Sequence, residues 1–165
     1  MRKYIIASHG GLATGIKSAV EMIIGTCGNI ECYDLNTYST PQKIYDVILA
    51  EIEKNESYEY IIFADIPGGS VYNQLMHLCK FNSVYLVGGV NLGMALEVII
   101  NEEEENTKNL ILDAINEAVN SIVLIDNEFM KEKEITIRRK PYGNNAESRR
   151  SLAPWTGCFF LDKSN

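Results

Sequence analysis

No apolar run in these 165 residues approaches the roughly 18 needed to cross a bilayer as a helix, so a soluble, cytoplasmic protein is expected. The charged start, Met1 to Lys3, leads into an apolar stretch too short for the core of a signal peptide. Cys27, Cys32, Cys79 and Cys158 show no C-x-x-C pair, and reduced thiols are the default. Cys27, Cys32, His77 and Cys79 match no zinc template, so no metal is expected. The chain has no G-x-x-x-x-G-K-[ST] loop and no G-x-G-x-x-G opening its first helix, which removes the usual cradles for ATP and dinucleotides; no cofactor is expected. Positive charge is also scarce. The net charge is −7; residues 131–165 hold eight Lys/Arg against four Asp/Glu, or +4, which leaves residues 1–130 at −11. A body this acidic repels nucleic acid and anionic membrane and attracts a basic protein partner, although acidity by itself does no more than keep a domain soluble.

What is present reads as alternating strands and helices within one compact domain. Tyr4 to Ala7 is a buried strand that stops at Ser8-His9-Gly10-Gly11. Ala13, Ile16, Val20, Ile23 and Ile24 then lie on one face of a helix that Gly25 ends. Ile30 to Leu35 is a second strand, and Thr40-Pro41 supplies a cap and first turn for a helix bearing Ile44, Val47, Ile48 and Ile52. Tyr60 to Ala64 ends at Asp65-Ile66-Pro67-Gly68-Gly69-Ser70, with a helix capped by Ser70 to follow. Val84 to Val87 is a fourth strand, Leu92 to Ile100 a short helix, and Leu110 to Ala118 a final helix. Ser121 to Ile125 reads as a last short strand, an antiparallel edge.

The expected fold is therefore α/β, a doubly wound, mostly parallel sheet in the flavodoxin-like order 2-1-3-4. In such a sheet the functional crevice opens at the carboxyl ends of strands 1 and 3, where the winding reverses. His9 ends the first of these strands and Asp65 the third, so the two should meet at one rim. A carboxylate that accepts from one imidazole nitrogen leaves the other unprotonated and nucleophilic. Gly10, Gly11, Gly68 and Gly69 let backbone amides come close to an anion, and Ser70 opens a helix. Together they describe a histidine that accepts and holds a phosphoryl group. The same crevice also suits a flavin-binding module, and a histidine after a strand is often only structural. His77 reads as a structural or surface residue.

Three motifs carry a more specific likeness. Ser8-His9-Gly10-Gly11-Leu12-Ala13-x-Gly15, then Asp65-Ile66-Pro67-Gly68-Gly69-Ser70-x-x-Asn73, then Gly88-Gly89-Val90-Asn91-Leu92, resemble the enzyme IIA domain of the mannose, fructose and sorbose family of the bacterial sugar phosphotransferase system, over about residues 2–126. The resemblance implies that His9 takes a phosphoryl group from the histidine phosphocarrier protein and passes it to a histidine of enzyme IIB, with Asp65 orienting the imidazole. It implies a homodimer in which Ser121–Ile125 pairs with the partner's sheet, and only indirect dealings with membrane subunits IIC and IID. Many members continue into a fused IIB domain; this chain is too short for one, so a separate IIB is expected. The family domain is expected over 1–130, with 131–165 a non-family or disordered tail. The phosphotransferase subunit serving dihydroxyacetone kinase shares the histidine after strand 1 but usually lacks the Pro-Gly-Gly-Ser-x-x-Asn pattern.

Overall fold

A computed structural model describes residues 1–26 and 29–127. The chain divides into a unit spanning Met1–Ser121 and a second that begins at Ile122. Cys27, Cys158 and the expected tail over 131–165 lie outside the described residues.

The sheet has four parallel strands in the order β2-β1-β3-β4: β1 Arg2–Ser8, β2 Ile30–Asp34, β3 Glu59–Ala64 and β4 Val84–Gly88. The two central strands read as unbroken apolar runs because both of their faces are covered, and Tyr4 through Ala7 and Tyr60 through Ala64 are wholly buried. Side chains alternate between the faces. Tyr4, Ile6, Ile61 and Phe63 pack beneath α1 (Leu12–Ile24), α5 (Leu92–Ile100) and α6 (Thr107–Asn120). Ile5, Ala7, Tyr60 and Ile62 pack beneath α3 (Pro41–Lys54) and α4 (Ser70–Leu75). Helices on both faces of a parallel sheet, in this strand order, are the architecture expected from the sequence.

Caps fix the helix ends. Thr40 Oγ1 accepts from the Lys43 amide at 3.3 Å, Asn91 Oδ1 from Met94 at 2.9 Å, and Gly25, at φ 90°, ends α1. Asp34 Oδ1 accepts from Thr37 at 2.8 Å and starts a helical turn, α2 (Leu35–Tyr38), that the apolar pattern does not reveal. The second strand consequently stops at Asp34 rather than Leu35. Past Leu75 the chain tightens into a 3₁₀ turn, Met76–Lys80, and His77 lies there rather than on a continuous helix.

One expectation needs correction. Gly69, not Ser70, takes the cap position of α4, and no side chain caps that helix; Ser70 is its first residue, and its hydroxyl turns toward His9. Ser121 closes α6 at its C-terminal end, and the five residues after it take neither helix nor strand within this single chain. A strand that pairs with a second copy has no ladder partner within a single chain.

Gly88 braces the site from the far side of β3. A Cβ there would lie 2.8 Å from Pro67 Cγ and 2.9 Å from Tyr72 Cε2. Gly88→Ala is expected to lower stability by about 1–3 kcal/mol, the usual cost of overpacking, as read from urea unfolding. An unchanged midpoint would mean that Pro67 and Tyr72 yield freely.

Candidate functional site

The register of β1 against β3 builds the site. Ala7 pairs with Ala64, so the residues just beyond, His9 and Asp65, emerge side by side at the carboxyl edge of the sheet. Asp65 Oδ2 accepts from the His9 backbone amide at 2.8 Å and lies 2.8 Å from His9 Nδ1; Oδ1 accepts from the Ile66 amide at 2.8 Å. The Asp65 side chain is 12% exposed and that of His9 44%. Burial would raise the Asp65 carboxyl, but hydrogen bonds from the His9 amide, the His9 ring and the Ile66 amide outweigh it and hold the group below the ordinary carboxylate value. An ionised acceptor facing Nδ1 selects the tautomer that carries its proton there and leaves the lone pair on Nε2. That nitrogen does not face solvent alone: Ser70 Oγ lies 3.0 Å from it, placed to donate.

The turn between β3 and α4 makes this contact possible. The Gly69 amide donates to Ile66 O at 3.1 Å, with Pro67 second and Gly68, at φ 79°, third, the residue pattern of a type II turn. A Cβ on Gly69 would lie 2.7 Å from Ile66 Cγ2 and 3.1 Å from His9 Cε1. A side chain at Gly69 would therefore crowd Ile66 first and the imidazole next. Its amide is engaged within the turn rather than offered to an incoming anion.

Gly10 and Gly11 answer to a different demand. Neither has a positive φ; a Cβ on Gly10 would meet nothing within 4 Å, and one on Gly11 only Thr14 Oγ1 at 3.7 Å. The backbone does not require glycine at either place, and a side chain there would meet almost nothing. The Ser8 hydroxyl, wholly buried, holds this loop by donating to Gly10 O at 2.5 Å and accepting from the Ala13 amide at 3.0 Å. In doing so it caps α1, whose cap position, Gly11, has no side chain to offer.

Sequence reasoning brought His9, Asp65, Gly69 and Ser70 to one place, and the structure places them together. It assigned no part to Ser8 or to Asn73, whose Nδ2 donates to Gly68 O at 2.8 Å. Serine at a strand end and asparagine shortly after a Gly-Gly turn are residues that satisfy local backbone groups, and that chemistry is the signal that could have found them. His77 stands exposed in the 3₁₀ turn and bonds to none of these residues. Among the described residues no cluster of three His, Cys, Asp or Glu side chains could hold a metal ion, and no helix is long and apolar enough to cross a membrane.

Known proteins share this arrangement of the chain. Residues 3–126 match the family model described as PTS system fructose IIA component. A Klebsiella pneumoniae subsp. pneumoniae chain, assigned as a phosphoenolpyruvate-dependent sugar phosphotransferase system (PTS) permease, is 30% identical, with a TM-score of 0.69 over 74% of this chain and 90% of that one. Two further solved structures are 23% identical with TM-scores of 0.65 and share the fold. They are the phosphotransferase system component EIIA of Streptococcus agalactiae, over 75% of this chain and 97% of that one, and the mannose/sorbose-specific IIA subunit of Enterococcus faecalis, over 76% and 95%. No curated protein sequence matches. With three-quarters of its length inside the family model, the chain belongs to the mannose/fructose/sorbose family of IIA components of the sugar phosphotransferase system.

Proposed function

We propose that this chain is a phosphoryl carrier that accepts a phosphoryl group from the histidine phosphocarrier protein on Nε2 of His9 and passes it to enzyme IIB. The observation that carries the reading is the pair of contacts on one imidazole: Asp65 Oδ2 at 2.8 Å from Nδ1, and Ser70 Oγ at 3.0 Å from Nε2. With the proton held on Nδ1, the Nε2 lone pair attacks phosphorus as the donor's N–P bond breaks and its electron pair returns to the donor imidazole. No proton need move. The phosphorylated ring gains positive charge, which the Asp65 carboxylate stabilises from the opposite side. Ser70 can swing its hydroxyl from Nε2 to a phosphoryl oxygen, and the Gly10, Gly11 and Gly68 backbone offers close approach for the remaining oxygens.

Incubation with labelled phosphoenolpyruvate, enzyme I and the phosphocarrier protein is expected to give one labelled site per chain. A chain that stays unlabelled while the phosphocarrier protein is labelled would sink the reading.

The partners follow from the same role. Both are proteins of the cytoplasm, where this chain is expected to work, with subunits IIC and IID reached only through IIB. Ile122, Val123, Leu124 and Ile125 are all exposed, and an apolar run of this kind favours pairing with a second copy. Sedimentation at low concentration is expected to return a dimer, and a monomer would remove the strand-pairing proposal.

A further inference from the structure

The Pro67–Ser70 turn is held from outside as well as from within. Ile66 O receives the Gly69 amide at 3.1 Å, which fixes one edge of the Gly68–Gly69 peptide. Asn73 fixes the other, its Nδ2 donating to Gly68 O at 2.8 Å, while its own backbone amide holds the following carbonyl, Gly69 O, at 2.9 Å. The peptide is therefore gripped at both its N–H and its C=O, and the next residue along is Ser70. Gly68 has a positive φ and Gly69 has no Cβ, so this stretch has unusual backbone freedom without such a grip. The functional contact it must deliver is narrow, a single hydroxyl 3.0 Å from Nε2.

We infer that Asn73 is a positioning residue, which sets Ser70 against His9 Nε2 by clamping the Gly68–Gly69 peptide. Asn73 touches neither His9 nor Asp65 through any described bond, so it acts through the turn. It is also exposed, and an exposed amide competing with water adds little to global stability while still restricting a glycine turn. That separation of geometry from stability is what makes the inference testable. It rests on His9 being the phosphoryl acceptor only for its kinetic consequence; the hydrogen bond at Nε2 can be read without any transfer.

The test uses the full chain as wild type, Asn73→Ala, Asn73→Asp, Ser70→Ala and the double variant Asn73→Ala with Ser70→Ala. Imidazole ¹⁵N spectra of the unphosphorylated proteins read Nε2 directly. In Asn73→Ala the Nε2 resonance is expected to move toward its position in Ser70→Ala, with urea unfolding unchanged. Asn73→Asp should behave the same way, because a carboxylate cannot donate to the Gly68 carbonyl. Labelling from the phosphocarrier protein should slow roughly 3- to 10-fold in Asn73→Ala, the size of one lost hydrogen bond. The double variant should be no slower than Ser70→Ala alone, since the two residues would act in series. An Nε2 resonance unmoved by Asn73→Ala, or a rate loss that multiplies onto that of Ser70→Ala, overturns the inference. A wild-type chain that takes no label defeats the carrier reading instead, and the ¹⁵N comparison still decides the part of Asn73.

Discussion

His9→Ala is expected to take up no phosphoryl label at all while keeping its fold. The substitution removes the nucleophile, and no described neighbour can replace it: Ser70 lacks a base once the imidazole is gone, and His77 bonds to none of the site residues. The imidazole is nearly half exposed, so its loss leaves little cavity, and Asp65 still accepts from the backbone amides of residues 9 and 66. Unfolding should therefore shift by far less than the 2–5 kcal/mol typical of a large core truncation. Label on the wild-type chain should be acid-labile, as a phosphoramidate is, and magnetic resonance of the phosphorylated protein should assign it to Nε2. A phosphoryl group found on Nδ1, or on His77, would contradict the geometry, because Nδ1 already faces the carboxylate.

Asp65→Asn is expected to slow phosphoryl acceptance by roughly 10² to 10⁴, the range seen when an acid, base or orienting partner is lost. That range corresponds to about 3–5 kcal/mol of barrier, more than the 0.5–1.5 kcal/mol of an ordinary neutral hydrogen bond. The excess has two sources. An amide cannot satisfy the three donors that converge on this side chain, from the His9 amide, the His9 ring and the Ile66 amide: whichever way it turns, its NH₂ faces an N–H. It also lacks the negative charge that balances the ring once phosphorus has bonded. Stability carries a matching signature in pH. Asp65 is held below its ordinary value in the folded chain, so its contribution is present above the unfolded carboxylate pKa of about 3.9 and disappears as pH falls through the lower folded value. The stability gap between wild type and Asp65→Asn should be widest near neutrality and close below about pH 4. An Asn variant as fast as wild type would show that the imidazole needs no orienting anion.

Much of this arrangement was legible from residue order alone. Tyr4–Ala7 and Tyr60–Ala64 read as strands because a parallel sheet covered on both faces needs unbroken apolar runs, and both are wholly buried. The meeting of His9 and Asp65 followed from the rule that crevices open at carboxyl ends where the winding reverses. What stayed hidden was decided by single side chains choosing among partners. Asp34 could end a strand or cap a turn, and its bond to Thr37 makes the turn. Ser70 could cap α4 or face His9, and only the fold brings a ring nitrogen within 3.0 Å. The pairs Gly10-Gly11 and Gly68-Gly69 look alike in sequence, yet Gly68 and Gly69 meet a positive φ and a close ring, whereas Gly10 and Gly11 meet neither.

The pairing of Ala7 with Ala64 has an entropic meaning as well as a geometric one. His9 and Asp65 are 56 residues apart, and closing a flexible loop of that length costs roughly 3–4 kcal/mol beyond a constant term. Here the ladder between two buried strands meets that cost during folding, so it does not recur with each turnover. On the proposed carrier reading, only the Ser70 hydroxyl has to change partner when phosphorus arrives. A carrier that must receive from one protein and release to another gains from this, since each encounter finds the acceptor already ordered and neither partner has to supply binding energy to assemble it.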